Sequence, residues 1–249
     1  MPKFRYSLII LLAGLSLFAL FNLAGMDFAW ANLLYNWQGG EWRLQHHWLT
    51  EQIFHQGVRS LNQVLMLTLI AYYFWQRLYR KQQNAAVQTL GLLLISVVLS
   101  FACIALLKRL LPTECPWDLQ QFGGSLPYIG LFTQRPAEMP YTQCFPAGHA
   151  SIGFAWIAVF FYYLRIKPAV AKYALVAALA LGFSLGFAQQ LRGAHFFSHD
   201  IATALICWMI AAAVFSQPTL ATRMKALFTK NTAWTKPASQ VENEQRSPL

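Results

Sequence analysis

The sequence predicts an all-α, polytopic membrane bundle of about six transmembrane helices. Three observations carry that expectation. Of the 249 residues, 57% are hydrophobic and 11% charged, whereas soluble domains hold roughly 25% charged residues. The apolar residues run in blocks approaching the ~20 that a helix needs to cross a hydrocarbon core. Between the blocks, Lys and Arg concentrate in alternate connections, the asymmetry that marks cytoplasmic segments of membrane proteins.

The first block, Tyr6 to Ala24, follows Lys3 and Arg5. A basic start before an apolar run, with Ala29-Trp30-Ala31 beyond it, also fits a cleaved signal peptide. Asp27, Phe28 and Trp30 make a poor cleavage region, so a retained span is expected. The second block, Leu61 to Phe74, is diluted at its start by Asn62 and Gln63, but Val64 to Trp75 is apolar and aromatic enough to reach the far interface. Val87 to Leu107, Ala150 to Leu164, Ala171 to Leu191 and Ile201 to Phe215 complete the six.

Arg77, Arg80 and Lys81 follow the second block, Arg165, Lys167 and Lys172 separate the fourth from the fifth, and Arg223, Lys225 and Lys230 follow the sixth. With Lys3 and Arg5 these belong to one side. Both termini are therefore expected in the cytoplasm, with three loops outside: Asp27 to Ser60, Lys108 to His149, and Arg192 to Asp200. The formal net charge of +10 then reflects topology and attraction to anionic headgroups, and no nucleic-acid partner is expected. Residues 1–230 form the expected membrane domain. Residues 231–249, polar and without apolar period, are expected to be a disordered cytoplasmic tail.

Cys103 and Cys207 fall inside spans and read as small apolar fillers. Cys115 and Cys144 share the second outer loop, where an oxidising compartment permits a disulfide. Closing a loop of about 30 residues would stabilise by roughly 3 kcal/mol, but sequence separation leaves open whether the two approach each other.

Ionisable residues near a membrane are costly and tend to be functional, and here they cluster in the outer loops. Lys108 and Arg109 end the third span on the outer side, and taken alone they read as a snorkelling interface pair. The second loop closes with Cys144-Phe145-Pro146-Ala147-Gly148-His149 before the fourth span. Pro146 and Gly148 mark a tight turn, and the free amides of a following helix start outline an anion site beside His149. The third loop, Arg192-Gly193-Ala194-His195-Phe196-Phe197-Ser198-His199-Asp200, packs an oxyanion-binding fork beside nucleophilic or acid-base histidines. The first loop carries His46, His47 and His55 with Trp42 and Trp48. It reads as an interfacial amphipathic helix with an aromatic belt, because no His/Cys spacing there closes a zinc set. No metal or other cofactor is expected.

Together these three segments resemble the type 2 phosphatidic acid phosphatase family, which shares its helical core with acid phosphatases and vanadium haloperoxidases. The family pattern is Lys-x6-Arg-Pro, then Pro-Ser-Gly-His, then Ser-Arg-x5-His-x3-Asp. The resemblance spans Lys108 to Asp200. It implies that Lys108 binds phosphate and that Pro116 holds its place, with Cys115 where the family has arginine, leaving Arg109 or Arg135 to substitute. The second motif reads Pro146-Ala147-Gly148-His149, Ala147 replacing a serine, so the Gly148 amide would bind phosphate and His149 would protonate the leaving oxygen. In the third, His195 aligns with the nucleophile and Gln189 with the arginine, three residues from Arg192 on a shared helical face. His199 stands at the family's aspartate position with Asp200 adjacent, and either would fix the His195 tautomer. His199 as nucleophile beside Asp200 is the alternative assignment.

The resemblance implies a membrane phosphatase, sited in the cell inner (plasma) membrane with its active site facing the periplasm or exterior. It would hydrolyse a phosphate monoester or diphosphate of an amphiphilic lipid through a phosphohistidine, with Lys108, Arg192, Gly148 and Ala147 forming the substrate site. Phosphatidic acid, phosphatidylglycerol phosphate, undecaprenyl diphosphate and lipid A phosphates are the implied substrates. A lipid-to-lipid phosphotransferase on the same scaffold, or a non-catalytic membrane protein whose motifs have decayed at Cys115, Ala147 and His199, are the rival readings.

Overall fold

A computed structural model describes residues 4–82 and 84–216. The expected cytoplasmic tail and the flanking cations Lys3, Arg223, Lys225 and Lys230 lie outside them. Among the described residues the chain is helical without strands, apart from an isolated bridge between Leu119 and Leu126.

Helices form at each of the six expected places. At those places stand α1 (Phe4–Asn22), α3 (Val58–Phe74), α4 (Ala85–Leu110), the pair α5 (Ser151–Phe154) and α6 (Ile157–Ile166), α7 (Pro168–Leu191) and α8 (Phe197–Ser216), while a further helix, α2 (Met26–Trp37), occupies the start of the expected first outer loop. By length and composition α4, α7 and α8 suffice to cross a membrane. A fourth span results if Leu8–Asn22 and Met26–Trp37, bent by 62° at Gly25, count as one. Gly25 takes φ 79° there, a left-handed angle that glycine adopts without steric cost. The segment Ser151–Ile166 is shorter, and the chain breaks within it at Ala155 and Trp156 between α5 and α6.

Two local signals explain where the long helices begin. The Asn84 side chain accepts a hydrogen bond from the Val87 amide at 3.0 Å, capping α4. Pro168 opens α7 at its first turn, where the missing N–H costs nothing. The core is the junction of α4, α5, α6 and α8, built on Leu94, Val97, Phe154, Ile157, Phe161 and Trp208. Where α5 meets α7, Gly153 and Gly182 let the backbones touch; a Cβ on Gly153 would strike the Gly182 backbone, and one on Gly182 the Phe154 ring. That contact sets the start of α5 directly against α7.

Between Trp37 and α3 the chain folds back over the end of α7. A π-helical stretch, Leu49–Gly57, leads directly into α3. The Gln38 side chain donates to the Leu191 carbonyl at 3.0 Å and accepts from the Leu44 amide at 2.9 Å, fastening this first connection to the third.

Candidate active site

The third connection is built by the way α7 stops. The Ala194 amide donates to the Gln189 carbonyl and the Gly193 amide to that of Gln190, both at 2.9 Å. This paired return is a Schellman ending, with Gly193 at the left-handed position, φ 71°. The chain then turns so that His195 follows the stop directly and α8 starts two residues later. Asp27 of α2 accepts from the Ser198 amide at 3.0 Å, satisfying a first-turn donor of α8 with a negative charge.

The second connection is tied to the same place. Cys115 and Cys144 form a disulfide with Cα atoms 5.2 Å apart, settling the pairing left open by sequence. The Trp117 amide donates to the Gly193 carbonyl at 2.9 Å. Thr203 of α8 donates to the Ala147 carbonyl at 3.1 Å, and the Ala147 amide reaches the His199 carbonyl at 3.4 Å. The turn carrying Gly148 and His149 is thus pinned to the helix that follows His195.

A cavity of about 450 Å³ opens here, lined by His149, His195, Lys108, Gly148 and Gln189, and on its other wall by His55, Arg59, Asn62 and Gln63. Lys108 donates to the Pro146 carbonyl at 3.1 Å, which leaves two of its three N–H groups for a ligand. His195 is buried, and its Nδ1 lies 3.5 Å from His199 Nδ1 and 3.6 Å from Cys144 Sγ. Nδ1 therefore faces protein, and Nε2 is the nitrogen left for the cavity. Burial, then the charge of Lys108, holds the His195 pKa well below its usual value, so its imidazole is neutral at pH 7 and its lone pair available.

His149 donates from Nε2 to the Phe54 carbonyl at 3.0 Å and lies against His55. Burial, followed by the nearby His55 charge, lowers its pKa to about 4 despite the hydrogen bond to Phe54. Phosphate in the cavity would oppose that shift, since a nearby negative charge favours imidazolium.

Other expected residues sit elsewhere. The Asp200 carboxylate is buried under Gly186 and accepts from Gln190 Nε2 at 2.5 Å, Gln190 in turn accepting from Trp30 at 2.7 Å. Of the two candidate orienting groups, the His199 ring is therefore the one that meets His195. Arg192 does not line the cavity. It donates from Nε to the Gln45 carbonyl at 2.8 Å and from Nη1 to Gln189 Oε1 at 3.2 Å, and it lies 3.9 Å from Glu51. Arg135 pairs with Glu114 at 2.6 Å and donates to the Pro112 and Pro140 carbonyls, bracing the second connection. Ala147 is fully buried beneath the turn.

Cys144, His195 and His199 bring three donor atoms within 4.8 Å of one another. With Cys144 in the disulfide that trio lacks a thiolate, the form in which cysteine ligates metal.

His55 and Arg59 were not singled out by the sequence as cavity residues. The available signal was their spacing of four on one helical face, masked by the aromatic residues that make the segment read as an interface helix.

A family model described as the PAP2 superfamily matches residues 89–223, which include all three motif segments. No curated protein and no solved structure matches the chain.

Proposed function

We propose that this chain, which belongs to the PAP2 superfamily of phosphatase-type proteins acting on phosphate esters, is a membrane lipid phosphate phosphatase working through a phosphohistidine at His195. One observation carries the reading: Lys108 from the end of α4, Gly148 and His149 from the second connection and His195 from the third open onto a single cavity.

In the mechanism, His195 Nε2 attacks phosphorus as the bond to the leaving oxygen breaks. Imidazolium His149 gives its proton to that oxygen and becomes neutral. Lys108 and the Gly148 amide hold the charge that spreads over the equatorial oxygens. Water then attacks the phosphohistidine, passing a proton to His149 as the P–N bond breaks, and inorganic phosphate leaves. His199 keeps the proton of His195 on Nδ1, the tautomer that leaves Nε2 nucleophilic.

Two features support an amphiphilic substrate. The cavity lies where α4 and α7 end and α8 begins, at one end of three apolar helices. The Leu49–Gly57 stretch separates it from a second, apolar cavity of about 290 Å³ lined by Leu49, Phe54, Phe187 and Leu191, room for part of a lipid tail. The positive-inside bias puts this end outside the cytoplasm.

The test is purified protein against phosphatidic acid, phosphatidylglycerol phosphate, undecaprenyl diphosphate and lipid A phosphates, reading free phosphate and acid-labile label on the protein. Wild type should release phosphate and trap label, and His195→Ala should do neither. Full activity in His195→Ala would overturn the assignment, and phosphorylated lipid in place of free phosphate would identify a phosphotransferase.

A further inference from the structure

We propose that Gln189 and Arg59 complete the phosphate clamp, Gln189 as a neutral donor set in place by Arg192 and Arg59 as the second cation on the opposite wall. The inference rests on the phosphatase reading and names the groups that hold the phosphate before His195 attacks it.

A phosphomonoester carries close to two negative charges at neutral pH and three acceptor oxygens. From the three motif segments the cavity receives one cation, Lys108. Arg192 and Arg135 are committed to carbonyls and carboxylates elsewhere, and Arg109 is not among the cavity-lining residues. A clamp of Lys108 alone would leave a dianion half neutralised.

Gln189 supplies a donor. It is 3% exposed, it lines the cavity, and its Nε2 has no hydrogen-bond partner. A buried amide N–H without an acceptor is unfavourable, and a phosphate oxygen in the cavity would satisfy it. The amide is also oriented: Arg192 Nη1 donates to Gln189 Oε1 at 3.2 Å, which only the oxygen can accept, so Nε2 is the atom turned away from Arg192. Arg192 thus acts on the phosphate through Gln189 and is a positioning residue.

Arg59 supplies the charge. It lines the cavity from α3, is exposed, and makes no hydrogen bond or ion pair among the described residues. It lies one helical turn beyond His55, whose ring rests on that of His149. Lys108 and Arg59 together provide two positive charges, matching the phosphate dianion, and the guanidinium fork suits two of its oxygens.

The experiment measures binding of inorganic phosphate to purified protein by titration, alongside hydrolysis of whichever lipid phosphate the wild type turns over. Arg59→Ala should weaken phosphate binding on the order of tenfold or more, with Arg59→Lys recovering part of the loss. Gln189→Met should weaken it similarly. Arg192→Gln should weaken it in the wild-type background and add nothing in Gln189→Met, whereas a purely structural role would give additive losses. Arg59 is exposed, so its variants test the clamp without testing the fold. Unchanged phosphate binding in Arg59→Ala and Gln189→Met, with wild type binding and turning over substrate, would overturn this inference alone. A wild type that neither binds phosphate nor hydrolyses any lipid phosphate would overturn the phosphatase reading beneath it.

Discussion

The rings of His55 and His149 lie stacked, centroids 4.2 Å apart and planes 13° from parallel, joining the first connection to the turn that carries the proposed proton donor. The same stretch accepts the His149 Nε2–H through the Phe54 carbonyl. The donor is thus held from two directions by residues about 95 positions earlier in the chain.

His55 also sets the proton affinity of His149, since its charge is the second cause, after burial, of the lowered pKa. His55→Phe keeps a flat ring at the stack and removes that charge. The His149 pKa should rise in this variant, and the alkaline limb of the kcat profile, where the donor loses its proton, should move up with it. His55→Ala loses the stack too, so turnover should fall about tenfold or more as the donor loses its alignment. Profiles of kcat against pH for the two variants check this, and coincident profiles would remove His55 from the argument.

Stability should fall in acid. His149 is folded with a pKa of about 4 against an ordinary 6.5, so between these values the unfolded chain binds more protons than the folded one. Stability is then fully present above pH 6.5 and lost as pH falls toward 4, by about 3 kcal/mol for this one group. His195 and His55 are shifted in the same direction, each chiefly by burial, and steepen the loss. Melting of the detergent-solubilised protein at pH 7 and pH 4.5 measures it, and His149→Gln should flatten part of the slope.

What was legible in the sequence follows from the range of the forces involved. Apolar blocks locate the helices because bilayer crossing is a local demand on about 20 residues, and clusters of His, Gly and Arg mark the second and third connections. The bend at Gly25, the break at Trp156 and the π-helical stretch depend on how helices pack, which no local pattern carries. Arg192 shows the same limit at the site. Its spacing put it on the face of Gln189, which Nη1 does reach, but the rest of its guanidinium goes to Gln45 and Glu51, residues about 140 to 150 positions away whose arrival only the fold reveals. Gln189, a departure from the family motif when read as sequence, becomes the buried amide with an open donor once the cavity is formed.

The Cys115–Cys144 disulfide should matter to both stability and turnover. It closes 29 residues of sequence separation, worth roughly 3 kcal/mol in the chain-entropy treatment. Its Cys144 sulfur also sits 3.6 Å from His195 Nδ1, on the side away from the cavity. A Cys115→Ser/Cys144→Ser double variant should melt several degrees lower and turn over more slowly even well below its melting point, because the wall behind the nucleophile has lost its brace. Treating wild type with a dithiol should reproduce both effects. Equal activity of the bridged and unbridged proteins at low temperature would limit the disulfide to stability.

Gly193 and Gly25 make a matched pair for testing whether the end of α7 aims the nucleophile. Both have left-handed backbone, φ 71° and 79°, so alanine at either costs about 1–2 kcal/mol from strain. They differ in what surrounds them. Nothing lies within 4 Å of a Cβ built on Gly25, whereas one on Gly193 would meet the Trp42 indole, nearest atom at 2.6 Å. Gly193→Ala must therefore also push Trp42 aside or shift the turn, and His195 is two residues along that turn. Gly25→Ala should lower the melting temperature by a few degrees and leave kcat unchanged. Gly193→Ala should lower it further and reduce kcat by tenfold or more, since displacing a nucleophile by about 1 Å is enough to cost a hundredfold. If the two variants lose stability equally and both keep full kcat, the Schellman ending holds α7 without aiming His195.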